Sequence, residues 1–190
     1  WQQKQYKSVS ITPAEELPGM IAFQGPDALS TLSVLLGSSQ IAEMRPFSLV
    51  VENFHGQEIY VARTGYTGED GAELMLGNSA AVSLWKTLID LGVTPCGLGS
   101  RDTLRLEAAL PLHGNEITIE TTPVEAGLAR FLSYKSVFCG SKRIQNISET
   151  GPSTHLIGFA TASRGPVPRH DAQIKSSGDI IGKVTSGSYS

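Results

Sequence analysis

The sequence predicts an α+β fold, in which an antiparallel sheet carries helices on one face and is followed by the start of a β-barrel or sandwich. Three observations predict it. Residues 20–92 have the pattern of a strand, a helix, three strands and a helix, in that order. Two of these strands are joined by a turn at His55-Gly56. After Gly151-Pro152, short strand-like runs are separated by Gly, Pro and Ser.

Capping residues and the spacing of apolar residues define the first elements. Residues 12–15, Thr-Pro-Ala-Glu, form a capping box with proline at the first helical position. Residues 20–23, Met-Ile-Ala-Phe, predict a short apolar strand. Residues 25–27, Gly-Pro-Asp, then begin a helix whose apolar residues share one face: Leu29, Leu32, Leu35 and Leu36.

The middle of the chain predicts the rest of the sheet and a second helix. Residues 47–53, 57–63 and 72–76 have strand patterns. A helix then begins at one of two candidate N-caps, Asn78 or Ser79, and ends at a glycine. The residues predicted to face inward from this helix are Val82, Leu84, Trp85, Leu88 and Ile89.

The second half of the chain begins with another helix, predicted from Gly99 to about Leu110, where Pro111 breaks it. Residues 122–125, Thr-Pro-Val-Glu, form a second capping box and predict the start of a further helix. The last predicted strands are residues 156–160, 173–175 and 180–185.

Composition excludes several classes of function. The 190 residues allow one large domain or two small ones, and a net charge of −3 without a basic run argues against a nucleic-acid partner. No apolar run approaches the roughly 18 residues of a membrane helix. Cys96 and Cys139 form no CxxC pair, which fits thiols in a reducing compartment. The four histidines have no metal-ligand spacing.

Residues 63–71, Arg-Thr-Gly-Tyr-Thr-Gly-Glu-Asp-Gly, are the most unusual stretch of the chain. Three glycines in nine residues carry a large backbone-entropy cost. One interpretation is a loop that brings backbone and polar side chains close to a small molecule. The other is a glycine-rich hairpin with ordinary turn chemistry.

Three further motifs accompany this loop. They are residues 97–109, Gly-Leu-Gly-Ser-Arg-Asp-Thr-Leu-Arg-Leu-Glu-Ala-Ala, residues 122–128, Thr-Pro-Val-Glu-Ala-Gly-Leu, and residues 182–187, Gly-Lys-Val-Thr-Ser-Gly. With four motifs in this order and spacing, nearly the whole chain resembles the glycine cleavage system T protein, the aminomethyltransferase. Ser100 stands where that family commonly has alanine, and His113 where its members often have tyrosine.

The resemblance implies a reaction and its partners. A lipoylated carrier protein, the H protein, presents an aminomethyl group, whose methylene carbon passes to tetrahydrofolate with release of ammonia. The cytoplasm, or the mitochondrion in a eukaryote, is the expected location. No metal, membrane or nucleic-acid partner is implied.

The resemblance also implies how the chain is divided. Residues 1–118 would be the second part of a folate-binding α+β domain, 119–153 a helical connection, and 154–190 the beginning of an incomplete C-terminal β-barrel. The chain begins and stops within apparent structure, so we expect a fragment lacking the N-terminal and C-terminal parts of the family. Because the catalytic aspartate of the family would lie outside it, we assign no catalytic residue and expect the fragment alone to be inactive.

Glu73 is the first candidate site residue. Alternation along the strand places it on the face opposite Ala72, Leu74 and Leu76, where a carboxylate faces either solvent or a ligand. The resemblance implies the ligand: the family's glutamate after Gly-Glu-Asp-Gly contacts the folate. A carboxylate can accept two parallel hydrogen bonds from the amino-pyrimidine edge of a pterin, as it does from a guanidinium.

Arg101 and Tyr66 are the other two candidates. Arg101 lies near a helix N-terminus, where it is either a solvated arginine paired with Asp102 or Glu107 or, as the resemblance implies, a folate contact. Tyr66 lies between two glycines, where its ring could stack on a flat heterocycle or its hydroxyl could bind the backbone of a turn. We interpret Arg105 as structural.

Two other functions remain open from the sequence. One is a different tetrahydrofolate-dependent enzyme of the same fold, such as a demethylase of sulfonium or methylamine donors or the folate domain of an oxidase. The other is a non-catalytic folate-binding protein of maturation or repair. That branch has a Lys-Gly-Cys-Tyr-x-Gly-Gln motif, which residues 135–140, Lys-Ser-Val-Phe-Cys-Gly, do not match.

Overall fold

The chain divides into two compact units. The computed structural model describes residues 8, 10, 18–135, 137–161 and 165–189, and the capping box predicted at residues 12–15 lies outside them. The first unit comprises the described residues up to Gly65 together with Glu69–Pro95. The second comprises Tyr66–Gly68 and the described residues from Cys96 onward. The predicted three-part domain division stays a prediction.

The first unit is a four-stranded antiparallel sheet with two α-helices, as predicted. The strand order is β1-β4-β3-β2, so the first strand pairs with the last. The strands are β1 (Gly19–Gln24), β2 (Leu49–Phe54), β3 (Gln57–Ala62) and β4 (Gly71–Leu76). The helices are α1 (Ala28–Leu36), between β1 and β2, and α2 (Asn78–Asp90), after β4.

One face of this sheet carries the core. Alternate residues of the strands are buried there, among them Ile21, Phe23, Ile59, Val61, Ala72, Leu74 and Leu76. Helix α1 adds Leu29 and Leu32 to this cluster, and Leu35 and Leu36 pack against it, which confirms the predicted leucine face. Since each large apolar side chain contributes about 1.5–3 kcal/mol when buried, this shared face holds the helices on the sheet.

The predicted inward face of α2 is only partly right. Leu84 and Leu88 are buried, but Val82, Trp85 and Ile89 are 57%, 45% and 37% exposed. The alanines at 80 and 81 face the sheet instead, and a methyl group at Gly19 would lie 2.6 Å from the Ala81 Cβ. Small residues let the helix approach β1 closely, so they turn inward and the larger residues turn outward.

The N-terminal end of α2 also differs from the prediction. Gly77 precedes the first helical residue, and no side chain caps the helix there, so neither predicted N-cap is used. The C-terminal end is as expected. Gly92 has a φ of +86°, and its N–H donates to the Ile89 carbonyl.

The second unit contains two α-helices and a second antiparallel sheet. These elements are α3 (Leu98–Glu107), α4 (Ser141–Thr150), β5 (Gln173–Ser176) and β6 (Asp179–Lys183). The small sheet lies where the start of a C-terminal barrel was predicted and is consistent with it. Helix α3 ends before Leu110, because Ala109 takes a left-handed φ of +55° and the Leu110 N–H returns to the Arg105 carbonyl.

The capping box at residues 122–125 forms but does not open a helix. The Thr122 N–H donates to Glu125 Oε2 at 2.9 Å, and the Glu125 N–H donates to Thr122 Oγ1 at 3.3 Å. Gly127, with a φ of +72°, ends the turn at once. The predicted further helix is therefore wrong. A single turn is followed by a short 3₁₀ helix, Ala129–Phe131.

The strand predicted at residues 156–160 is also wrong. The Leu156 N–H donates to the Glu125 carbonyl at 3.2 Å, but the segment joins no sheet within the described ranges. Its apolar residues suit a strand, yet Ile157 is 71% exposed. A strand needs a neighbouring strand, and β5 and β6 pair with each other.

The start of β4 gives a test of this packing. A methyl group at Gly71 would lie 2.5 Å from the Phe23 carbonyl oxygen and 2.7 Å from the Gln24 Cα. We expect Gly71→Ala to lower the free energy of unfolding by about 1–3 kcal/mol, because β1 must move away. Urea unfolding followed by circular dichroism measures this.

Gly99→Ala is the matched control, since an added methyl meets nothing within 4 Å there and the position is helical. It should not destabilise the protein. Equal stability of Gly71→Ala and wild type would show that β1 and β4 are less closely packed than described.

Candidate functional site

The glycine-rich loop is held at its base by Arg63. Its guanidinium donates to both carboxylate oxygens of Asp70, with Nε–Oδ1 at 3.0 Å and Nη2–Oδ2 at 2.7 Å, and it also donates to the Met44 carbonyl. Hydrogen bonding from Arg63 holds the pKa of the Asp70 carboxyl below its usual range. This two-point contact anchors the loop, with Asp70 as the partner of Arg63.

Gln24, at the end of β1, fastens the loop to the sheet. Its Nε2 donates to the carbonyls of Thr64 and Ala72, both at 3.1 Å. A methyl group at Gly65 would lie 1.9 Å from Gln24 Oε1, so a side chain there would displace the Gln24 amide. Sequence reasoning missed Gln24. The available signal was a polar residue that ends an otherwise apolar strand immediately before Gly25.

Glu73 lies on the sheet face opposite the core, as the strand alternation predicted. Its cross-strand neighbours are Ala22 on β1 and Ala62 on β3, so the residues directly opposite the half-buried Glu73 on both strands carry only a methyl side chain. Thr64 Oγ1 donates to Glu73 Oε2 at 2.5 Å. Sequence reasoning did not single out Thr64, because its contact with Glu73 depends on how the loop folds back.

Tyr66 and Arg101 come together in the second unit. The Arg101 guanidinium carbon lies 4.8 Å from the centroid of the Tyr66 ring, within the range of a cation–π contact. The Tyr66 hydroxyl donates to the Pro111 carbonyl at 2.6 Å. Burial raises the pKa of the Tyr66 phenol, with opposing effects from the surrounding charges, so the hydroxyl remains a donor. Tyr66 therefore makes the predicted hydrogen bond to the backbone, and its ring makes a cation–π contact with Arg101.

Arg101 lies in the first turn of α3, where its N–H donates to the Gly97 carbonyl at 3.2 Å. A cation at this end opposes the helix dipole by roughly 0.3–1 kcal/mol. An exposed cation–π contact contributes about 0.5–1 kcal/mol, so the two effects are similar in size. The position of Arg101 is thus neutral for helix stability and leaves a ligand contact open.

Arg105 is the buried centre of the second unit and is 1% exposed. Its Nε donates to Asp102 Oδ1 at 2.7 Å, and its Nη1 to Glu116 Oε2 at 3.0 Å. Its Nη2 donates to Ser186 Oγ at 2.7 Å. These contacts join α3, the chain around Glu116 and the predicted motif at 182–187. The structural interpretation of Arg105 is confirmed, and Asp102 is engaged by Arg105.

Glu116 is the buried partner of Arg105. Its burial raises the carboxyl pKa, but hydrogen bonds from Ser186, Thr185 and the Leu112 N–H, with the charge of Arg105, hold the pKa below its usual range. The Leu112 N–H lies 2.9 Å from Glu116 Oε2. The pair is therefore ionised and fully hydrogen-bonded, which is the condition for keeping charges inside a protein.

A cavity of about 690 Å³ adjoins this pair within the second unit. Residues of α3, together with residues 156–161, 165–168 and 184–189, line it. Among the described residues, no buried side-chain nitrogen or oxygen lacks a hydrogen-bond partner. The buried polar side chains of the described residues are therefore satisfied within the protein.

Within the described part of the chain, no group of His, Cys, Asp and Glu has an arrangement suited to a metal ion. No helix found there has the length and apolar character needed to cross a bilayer. Of the three predicted site residues, Tyr66 and Arg101 are in contact in the second unit, and Glu73 belongs to the first.

Comparisons with known proteins connect these features to one family. The GCVT N-terminal domain family model matches residues 1–136. The aminomethyltransferase of Synechococcus elongatus is 44% identical over 173 residues, which cover 90% of this chain and 46% of that protein. The aminomethyltransferase of Nostoc sp. is 42% identical over 190 residues, which cover 99% of this chain and 49% of that protein.

A solved structure is also similar. The crystal structure of glycine cleavage system aminomethyltransferase T from Bartonella henselae matches with a TM-score of 0.79 and 34% sequence identity. The match covers 90% of this chain and 47% of that one. The chain spans about half the length of the curated relatives it matches.

The buried pair of the second unit predicts a specific pH dependence. A depressed pKa means that ionised Glu116 stabilises the fold above the unfolded-state pKa of about 4.3 and loses this effect as pH falls through the folded value. We expect Glu116→Gln to lower the unfolding free energy by about 1–3 kcal/mol at pH 7. As the pH falls, the unfolding free energy of the variant should also decrease less than that of wild type. Urea unfolding at pH 7 and at acid pH measures both effects.

Glu149→Gln, which replaces an exposed carboxylate on α4, is the matched control and should change neither quantity. If Glu116→Gln and wild type lost stability equally between neutral and acid pH, the proposed contribution of Glu116 would be excluded.

Proposed function

Because the chain belongs to the GCVT N-terminal domain family, we propose that it forms the folate-binding part of an aminomethyltransferase of the glycine cleavage system. The enzyme would move the methylene carbon of a lipoyl-bound aminomethyl group to tetrahydrofolate and release ammonia. The observation that carries this proposal is the Glu73 carboxylate. It is held by Thr64 and flanked by alanines on the sheet face away from the core.

Glu73 would bind the amino-pyrimidine edge of the pterin. This edge presents a ring N–H and an exocyclic amine side by side, and a carboxylate accepts both in parallel. The small side chains of its neighbours Ala22 and Ala62 would admit a flat ring above the strand. A half-buried carboxylate without its two donors is penalised, so the site would discriminate against ligands that lack this edge.

Arg101 would be a positively charged folate contact, as the sequence motif implies. Its contact with Tyr66 holds the guanidinium on a ring that is itself tied to the Pro111 carbonyl. A stacked guanidinium keeps its in-plane donors available for oxygen atoms of a ligand. In this proposal Tyr66 belongs to the binding site through its ring.

Binding geometry is the contribution to catalysis that we assign to these residues. Holding the folate N5 close to the aminomethyl carbon makes the transfer effectively intramolecular, which supplies much of the rate. We assign no catalytic acid or base to the residues of this chain. The lipoylated H protein would be the macromolecular partner. The expected location is the cytoplasm, or the mitochondrion in a eukaryote.

Folate binding tests the site directly. In the natural protein that contains this chain, we expect Glu73→Gln and Arg101→Ala each to weaken tetrahydrofolate binding by about tenfold or more, since each removes a charged hydrogen-bond partner. Isothermal titration calorimetry under anaerobic conditions measures the dissociation constants.

Each variant has a matched control. Glu58→Gln alters another carboxylate of the same sheet, on β3, and Arg130→Ala removes a guanidinium that lies 4.7 Å from the Phe131 ring centroid. Both controls should bind tetrahydrofolate as wild type does. Wild-type affinity in both Glu73→Gln and Arg101→Ala would reject this folate site.

The donor is tested by substrate exchange. With tetrahydrofolate present, we expect methylenetetrahydrofolate and ammonia to form from aminomethyl-loaded, lipoylated H protein, and neither product from dimethylglycine or a sulfonium methyl donor. Product chromatography and an ammonia assay measure the outcome. If a methylamine or sulfonium donor is turned over and the loaded H protein is not, the result would instead support the demethylase alternative.

A further inference from the structure

We propose that Thr64 is the positioning residue that sets the plane of the Glu73 carboxylate, and that it thereby favours ligands presenting two parallel N–H donors over ligands presenting one. This inference rests on the proposed folate site, and it adds a residue that neither the motifs nor the comparisons assign to that site.

Covalent geometry alone does not orient the Glu73 carboxylate. The terminal torsion of a glutamate side chain is broad, so the carboxylate plane rotates unless a neighbour holds it. The cross-strand neighbours Ala22 and Ala62 have no polar side-chain atoms. Within the described residues of its own unit, the side-chain hydrogen bond that Glu73 accepts is from Thr64, at 2.5 Å. This contact therefore determines which way the carboxylate faces.

Thr64 is itself held by the backbone. Its N–H donates to the Ala62 carbonyl at 2.8 Å, and its carbonyl accepts from Gln24 Nε2 at 3.1 Å. Gly65 must be glycine for Gln24 to reach this position. The hydroxyl is thus placed by two backbone contacts of Thr64, and Gln24, Thr64 and Glu73 form one chain of hydrogen bonds.

The chemistry of the hydroxyl fits this role. Thr64 uses its single proton on Oε2, and an ionised carboxylate has about four acceptor positions, so two N–H donors can still be accepted side by side. A two-donor ligand needs the carboxylate plane aligned with its own plane, whereas a one-donor ligand binds over a wider range of angles. Loss of the hydroxyl should therefore weaken the two-donor ligand more.

The test compares Thr64→Val, which keeps the shape of the side chain without its hydroxyl, with Thr64→Ser, which keeps the hydroxyl. In the natural protein we expect Thr64→Val to weaken tetrahydrofolate binding on the order of tenfold. Thr64→Ser should stay within about twofold of wild type, because it keeps the hydrogen bond. A 2-desamino analogue of tetrahydrofolate should bind wild type and Thr64→Val equally. In a Glu73→Gln background, Thr64→Val should have no further effect.

A second measurement needs no ligand. The carboxyl carbon resonance of Glu73 in a ¹³C NMR spectrum should shift or broaden in Thr64→Val and return in Thr64→Ser. Thr87→Val removes a hydroxyl that donates within α2 to the Ser83 carbonyl, and it is the matched control that should change neither resonance nor affinity.

The outcomes separate the two proposals. If tetrahydrofolate binding depends on Glu73 but is unchanged in Thr64→Val, the role of Thr64 is overturned and the folate site stands. An unchanged Glu73 resonance in Thr64→Val overturns the role as well. If wild type does not bind tetrahydrofolate while the resonance responds as expected, the folate proposal fails and the ligand preference fails with it.

Discussion

The first unit depends on the close approach of three backbone segments around Gln24. The side-chain amide of this residue bridges the loop at Thr64 and the strand at Ala72. A side chain at Gly65 would meet this amide, and one at Gly71 would meet the backbone of Phe23 and Gln24. Glycine loses more conformational entropy on folding than any other residue. The glycines of the loop carry this entropy cost, and in return the loop can contact Gln24, which positions the residues around Glu73.

In the second unit, a buried guanidinium holds separate chain segments together, as Gln24 does in the first. Arg105 joins residues that are far apart in sequence, since it contacts Asp102, Glu116 and Ser186. Removing a charge from water costs several kcal/mol, and a buried pair recovers that cost only when its remaining donors and acceptors are satisfied. Arg105 and Glu116 meet this condition. The pair therefore joins α3 to Glu116 and Ser186 without leaving an unpaired buried charge.

Both units show the same principle for the proposed ligand groups. Neither Glu73 nor Arg101 is oriented by its own helix or strand alone. Thr64 holds the carboxylate and Tyr66 holds the guanidinium. These two residues are separated by one position in sequence, although Thr64 belongs to the first unit and Tyr66 to the second. The glycine-rich motif is thus a source of positioning contacts for both groups.

The sequence by itself determined the order of the elements in the sheet unit, the apolar face of α1, the side of β4 on which Glu73 lies, and the family, which four motifs indicated and the comparisons confirmed. These features follow from local periodicity and from motifs a few residues long. The tertiary structure decided the inward face of α2, the single turn at the second capping box and the unpaired state of residues 156–160. It also decided the contacts of Gln24, Thr64 and Arg105. Each of these depends on residues that are distant in sequence, so no local pattern records which of them will meet.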